Sequence, residues 1–255
     1  MVWQNHRILL RWTLRYQVSK RPVAIRHQCP TYLQMTQQDA SKNSLNDLQS
    51  EACSLPGSDG EHVLQTQFGT SKRAEKFYSN QVLDHLNEEM RRFIDRMEIM
   101  FVSTADKHGE CDCTIRCGLP GFIIPLDQHT VIYPEYRGNG VMASLGNISE
   151  NPHIGLLLVD FFSSTIGLHI NGTAEIIEND VLLESDSVPG DVRVAMEASG
   201  GRKPERWVRV RVEEAYIHCS KHIPMLKRMS KEISWGTDDE NLKGGDFFGV
   251  KRNSC

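Results

Sequence analysis

A chain of 255 residues, 39% hydrophobic and 24% charged, carries enough apolar side chains to bury a core as one large domain or two small ones. Those figures exclude a chain disordered throughout, a collagen-like repeat and a disulfide scaffold. A formal net charge of −4 argues against non-specific binding to nucleic acid, and the apolar run over 155–159 stops at Asp160, far short of the ~20 residues a membrane span needs.

The charge is unevenly spread. Residues 1–38 hold six basic side chains (Arg7, Arg11, Arg15, Lys20, Arg21 and Arg26) and no acid, which leaves 23 basic against 33 acidic groups, a net −10, in 39–255. Such a basic, acid-free stretch reads either as a transit peptide or as sequence upstream of a true start at Met35, and the second reading is preferred. Residues 36–72 are rich in Gln, Ser, Asn and Asp around Pro56-Gly57-Ser58-Asp59-Gly60, the composition of a flexible lead-in. The expected organisation is therefore an extension over 1–72 and one folded domain over 73–255. Seven cysteines without framework spacing fit a reducing compartment, so the expected location is cytoplasmic.

The first predicted element of the folded part is a helix over 80–97 capped by Asn80. Val82, Leu86, Met90, Phe93, Ile94 and Met97 fall on one stripe, while Asp84, Glu88, Arg91, Arg92 and Asp95 face water. A strand over 100–105 follows, then a hairpin turn at 106–109 with Gly109 in the position that tolerates positive φ. The strand over 110–117 alternates, with Cys111, Cys113, Ile115 and Cys117 on one face and Asp112, Thr114 and Arg116 on the other. Further strands are predicted at 122–126, 130–133, 154–162, 166–178 and 207–219. Six or seven strands with few helices predict a mainly β chain, an antiparallel barrel with helical covers.

Three features could carry chemistry. Cys111 and Cys117 on one strand would lie ~20 Å apart at ~3.3 Å per residue, too far to share an ion, so the three cysteines read as small half-buried core residues and no metal site is expected. His218-Cys219-Ser220-Lys221-His222 reads as a strand end turning into a short Pro-led helix over 223–229. Tyr136-Arg137-Gly138-Asn139-Gly140 is a glycine-bracketed loop before a short predicted helix over 141–147. Amide N–H groups at a helix start, glycine backbone and a guanidinium fork all suit a phosphate, and Ser144 adds a hydroxyl. Taken alone that segment is a surface turn. It gains weight from Thr114 and Arg116, which project from the polar face of an earlier strand.

The order of these parts is familiar. Phe101-Val102-Ser103-Thr104-Ala105-Asp106 leads through the turn to 112–118 and Pro120-Gly121-Phe122. Tyr133-Pro134-Glu135-Tyr136-Arg137-Gly138-Asn139, Leu145-Gly146-Asn147-Ile148 and Asn151-Pro152-His153-Ile154-Gly155-Leu156 come next. This ensemble, covering roughly 77–250, resembles the pyridoxamine 5′-phosphate oxidase-like family of flavin-binding split barrels, and within it the uncharacterised bacterial branch. The resemblance implies a six-stranded antiparallel split β-barrel, a homodimer, and FMN in a groove between two copies, acting as an FMN-dependent oxidoreductase on a small-molecule substrate. The phosphate-binding roles would fall to Thr114 and Arg116, then Arg137, Asn139 and Ser144, with Asn147 closing the segment. Ring contacts would come from backbone near 118–122 and from Trp207 of the partner subunit. The true oxidases carry a Ser-Arg-Lys run before the helix and an Arg-x-Pro type ending. Here the run is Tyr136-Arg137-Gly138-Asn139 and the tail reads Gly244-Gly245-Asp246-Phe247-Phe248-Gly249, which puts pyridoxamine phosphate itself in doubt as substrate. His169 and His218 are the titratable candidates for a catalytic role. The alternatives are a non-catalytic flavin- or haem-binding barrel and a deazaflavin-dependent reductase.

Overall fold

The computed structural model describes residues 55–184, 188–198 and 200–251. The basic segment and most of the polar stretch of the extension lie outside them. Two helices open the described chain, α1 (Asp59–Gln67), within the stretch whose composition predicts a flexible lead-in, and α2 (Ser71–Gln81), which starts at the end of that stretch. Ser58 accepts a hydrogen bond from the Glu61 amide and starts α1, yet α1 buries no residue. Phe77 of α2 meets the Tyr216 ring edge-on at 6.0 Å.

The predicted helix over 80–97 is divided. Val82 and Leu83 form a two-residue strand, β1 (Val82–Leu83), paired with Tyr216 and Ala215. The helix itself, α3 (Glu88–Asp95), starts seven residues later than expected because Asn87, not Asn80, supplies the cap, its Oδ1 accepting from the Met90 amide at 2.9 Å. The apolar stripe survives the correction, since Leu86, Phe93, Ile94 and Met97 are all buried.

The sheet is antiparallel throughout and has eight strands, against the six or seven expected. After β1 come β2 (Ile99–Ala105), β3 (Cys111–Cys117), β4 (Ile124–Pro125), β5 (Thr130–Glu135), β6 (His153–Val159), β7 (Gly167–Glu178) and β8 (Arg206–His218). They lie in the order β3-β2-β6-β7-β8-β5-β4, with β1 added beside β8. The strand beyond the seven predicted is β1, too short to show a period of two, while β4 is the middle of the strand predicted at 122–126. One face, carried by Met100, Val102, Leu156, Leu158, Leu168, Ile170, Val208 and Val210, packs against α3 and α4 (Ala143–Glu150) as the main core. Each of these side chains contributes about 2 kcal/mol by leaving water. Between Asn171 and Gly172 the β7–β8 register shifts. A Cβ on Gly172 would lie 1.9 Å from the Arg211 carbonyl oxygen, so only glycine fits the bulge.

A second, smaller core was not legible in the sequence. α5 (Asn179–Leu183) and α6 (Gly190–Glu197) cover the opposite face of the β5–β8–β7 end, where Ile132, Ile177, Leu182, Val192, Met196 and Trp207 pack together. Beyond β8 a single 3-10 turn (Ser220–His222) leads into irregular chain; the predicted helix over 223–229 is absent. Among the described residues no helix is long and apolar enough to cross a membrane.

Candidate functional site

β3 is the edge strand, and its two faces are the reverse of the expectation. Cys111, Cys113 and Cys117 are exposed instead of half-buried in a core. The polar set Asp112, Thr114 and Arg116 is the half-buried one. The reason lies in the neighbours across that face, which are polar too. Arg116 donates from Nε to Glu135 Oε1 at 2.8 Å and from Nη1 to Thr114 Oγ1 at 3.0 Å. Ser144 of α4 donates to Asp112 at 3.3 Å, and Asn147 Nδ2 donates to Thr104 Oγ1 at 3.0 Å. α4 therefore lays hydroxyl and amide groups on β2 and β3 beside its apolar contacts through Leu145 and Ile148.

Glu135 ends β5, so its bond to Arg116 fixes β3 beside the start of the 136–142 loop. Nearby Tyr133 is fully buried with an unpartnered hydroxyl. Burial pushes that phenol well above the usual tyrosine range, and the Glu135 charge adds to the effect. Such a group stays protonated across all working pH.

The loop itself is exposed from Arg137 to Ala143. Asn139 Oδ1 accepts from the Val141 amide at 3.0 Å, a side-chain turn that shapes the loop. Gly140 has φ +81°, and Met142 enters α4 at φ +57°, a conformation costly for a side chain with Cβ. Ideal Cβ positions at Gly138 and Gly140 meet no atom within 4 Å, so the backbone there borders open space. The helix begins at Ala143, two residues beyond the predicted start. Arg137 reaches Asp238 of the C-terminal segment, with Nη2 to Oδ2 at 2.7 Å.

Thr114, Arg116, Arg137, Asn139, Ser144 and Asn147 thus belong to one neighbourhood formed by β3, the loop and α4. The other sequence candidates lie elsewhere in the chain. Trp207 is fully buried in the second core, its indole N–H donating to Asn179 Oδ1 at 3.1 Å. His169 and His218 sit on the opposite sheet face from Arg116, in register with Tyr216 and Gly167 respectively. His169 Nε2 and His218 Nδ1 are 2.9 Å apart, and the His169 ring stacks on Tyr216 at 4.7 Å. Burial first, and the His218 charge second, hold the His169 pKa below its ordinary value. Among the described residues no three His, Cys, Asp or Glu side chains converge on a point that could hold a metal ion.

Sequence reasoning missed the three carboxylates of the neighbourhood, Asp112, Glu135 and Asp238. Asp112 carries a partial signal, since it shares the alternation face of Thr114 and Arg116, whereas Glu135 ends a strand buried on both faces, where no alternation marks it. Asp238 carries none, because nothing local predicts where an irregular segment folds back.

Several solved structures are similar to this chain at low identity. A point variant of HupZ from Group A Streptococcus is 23% identical, covering 52% of this chain and 99% of that one, with a TM-score of 0.40. A Lactobacillus delbrueckii protein provisionally named a pyridoxamine 5′-phosphate oxidase is 19% identical over 53% of this chain and 98% of that one, with a TM-score of 0.37. HutZ, the haem storage protein of Vibrio cholerae, is 12% identical over 52% of this chain and 93% of that one, with a TM-score of 0.35. No curated protein matches the sequence. The family model described as pyridoxamine 5′-phosphate oxidase matches residues 86–219, from the residue before the α3 cap to the one after β8. That stretch is more than half of the sequence and contains every strand but β1, and on it this chain belongs to the pyridoxamine 5′-phosphate oxidase family.

Proposed function

We propose that this chain is an FMN-dependent oxidoreductase acting on a small-molecule substrate, built as a dimeric split barrel and working in the cytoplasm. The observation that carries the reading is the meeting of two stretches far apart in sequence. Arg116 of β3 bonds Glu135 at the foot of the loop, and Ser144 of the following helix bonds Asp112 of the same strand. The donor set fits a phosphoryl group. Arg137 offers an exposed guanidinium fork, the Gly138–Gly140 backbone borders open space, and the Thr114 and Ser144 hydroxyls stand on the flanking elements.

In this reading Arg137 anchors the phosphate and Ser144 supplies a further donor. Asn139 holds the loop in shape through the Val141 amide. Arg116 acts mainly by fixing Glu135, and so the loop, against β3. A flavin held there would supply hydride transfer at its N5 position, and the protein would supply its binding and orientation. A second copy is supported by the outer sheet face, where Ile115, Phe101 and Leu157 form an apolar cross-strand row and Ile115 is 50% exposed.

The test is the purified protein. A yellow solution with twin flavin bands, bleached by reductant and recovering in air, is expected, and mass spectrometry of the released cofactor should return FMN. Arg137→Ala should weaken FMN by about 1.5–3 kcal/mol, the scale of a hydrogen bond to a charged group. A Soret band in place of the flavin bands, lost on replacing His169 or His218, would instead favour the haem-binding alternative. A deazaflavin in the mass spectrum would favour the reductase.

A further inference from the structure

After β8 the chain turns back across the molecule as a strap that touches it at two places. At the first, Arg228 forks onto Glu98, with Nη1 to Oε1 at 3.0 Å and Nη2 to Oε2 at 2.6 Å, and lies 4.9 Å above the Phe162 ring. The second involves Trp235, Gly236 and Thr237, the only half-buried residues between 224 and 245. Trp235 meets the Tyr136 ring edge-on at 5.4 Å. Gly201 lies so close beneath it that a Cβ there would fall 2.1 Å from the Trp235 carbonyl oxygen. From this docked turn Asp238 reaches Arg137 at 2.7 Å.

Tyr136 and Arg137 open the loop read above as the phosphate site, so the docked turn of the strap lies against that site. We propose that residues 235–238 form a latch in which the Asp238 carboxylate occupies Arg137 in place of a phosphate, and that FMN binding exchanges one anion for the other. This inference rests on Arg137 being the phosphate anchor.

The energetics permit an exchange. Both partners of the ion pair are more than half exposed, and such pairs contribute little. A phosphate presents more charge and more acceptor oxygens to the same fork. Because the coupling is reciprocal, a ligand that takes Arg137 from Asp238 must loosen the strap, and a loosened strap must favour the ligand. The latch would keep the guanidinium satisfied before the cofactor arrives. It would also select for ligands with a phosphate, since an uncharged isoalloxazine derivative gains nothing by displacing Asp238.

The experiment titrates apoprotein with FMN and with riboflavin, following flavin fluorescence, for the full chain and its Asp238→Asn and Asp239→Asn variants. Asp239 is also an aspartate but accepts from the Asn241 amide instead of holding Arg137, so it controls for bulk charge. Asp238→Asn should bind FMN about two- to fivefold more tightly, with riboflavin affinity unchanged and Asp239→Asn close to wild type. Trypsin cleavage after Lys231 or Lys243 should quicken when FMN is added to the wild type. FMN that binds wild type and Asp238→Asn equally, with cleavage unaltered, overturns the latch and leaves the flavin reading standing. Equal tightening by both variants overturns it too, as bulk electrostatics. No FMN binding by any of the three overturns the flavin reading and the latch together.

Discussion

Arg116 and Glu135, nineteen residues apart, join the edge strand to the root of the glycine loop through a 2.8 Å charge-assisted hydrogen bond, and both are largely buried. Neither group is placed there by hydrophobic patterning. Taking both from water is costly, and the geometry compensates with a second bond from Arg116 to Thr114. The pair contributes mainly by determining which way β3 faces.

Glu135→Gln should therefore leave the Arg116 charge without its partner and lower the unfolding free energy by about 3 kcal/mol, as broken buried pairs do. Urea denaturation followed by circular dichroism measures it. Replacing both partners, Arg116→Met with Glu135→Leu, should recover most of that loss, because no uncompensated charge remains. A double variant no more stable than the single one would show that the bond is not what holds this edge.

Much of the sheet was legible because a strand with one buried face announces itself. The 110–117 alternation locates β3 to within one residue and separates its two faces correctly. It could not say which face turns inward, since that depends on polar partners contributed by Glu135 and Ser144 from other elements. The helix over 80–97 fails for a related reason. Its stripe is real, but the backbone of Val82 and Leu83 finds hydrogen bonds on β8 instead, a long-range partner that periodicity does not register. The second core and the strap were invisible. α5 and α6 span only five and eight residues, too short for a period to emerge, and the strap docks through a few isolated residues.

The competition between the two asparagines gives a direct test of the helix start. Asn87→Ala removes the acceptor of the Met90 amide and should cost about 1 kcal/mol. Asn80→Ala lies in the body of α2 and should cost less, or stabilise, because alanine is the better helix former. Paired thermal melts compare them directly, and an equal loss from the two would argue for a helix that starts at Asn80 after all.

Gly172 fixes the bulge where β7 and β8 change register. Gly172→Ala would drive a methyl group into the Arg211 carbonyl, so the strands must separate locally at a cost of at least about 2 kcal/mol. Gly155→Ala is the contrasting case on the neighbouring strand, where a Cβ meets Asn171 Oδ1 at 3.5 Å, an ordinary contact. Its effect should be small. Differential scanning calorimetry of both variants checks the contrast, and comparable melting temperatures would mean that the bulge relaxes without strain.

The histidine pair makes stability depend on pH in a predictable direction. The folded state holds the His169 pKa below its ordinary 6.5, through burial and then through His218. The unfolded chain therefore binds the proton more readily, so the stability linked to His169 is fully present above pH 6.5 and is lost as pH falls from there through the folded value. The melting temperature should decline between pH 7 and pH 5.5. His169→Gln keeps a polar group in the same row against Tyr216 but has nothing to titrate, so its decline should be shallower over that interval. His218 faces His169 directly, and Glu214 lies on the next cross-strand row, bonded to Asn171 at 3.3 Å. A proton on His169 therefore sits against the His218 ring, with the Glu214 carboxylate engaged by Asn171. Parallel pH profiles for wild type and His169→Gln would remove His169 as the source and leave the carboxylates responsible for the acid limb.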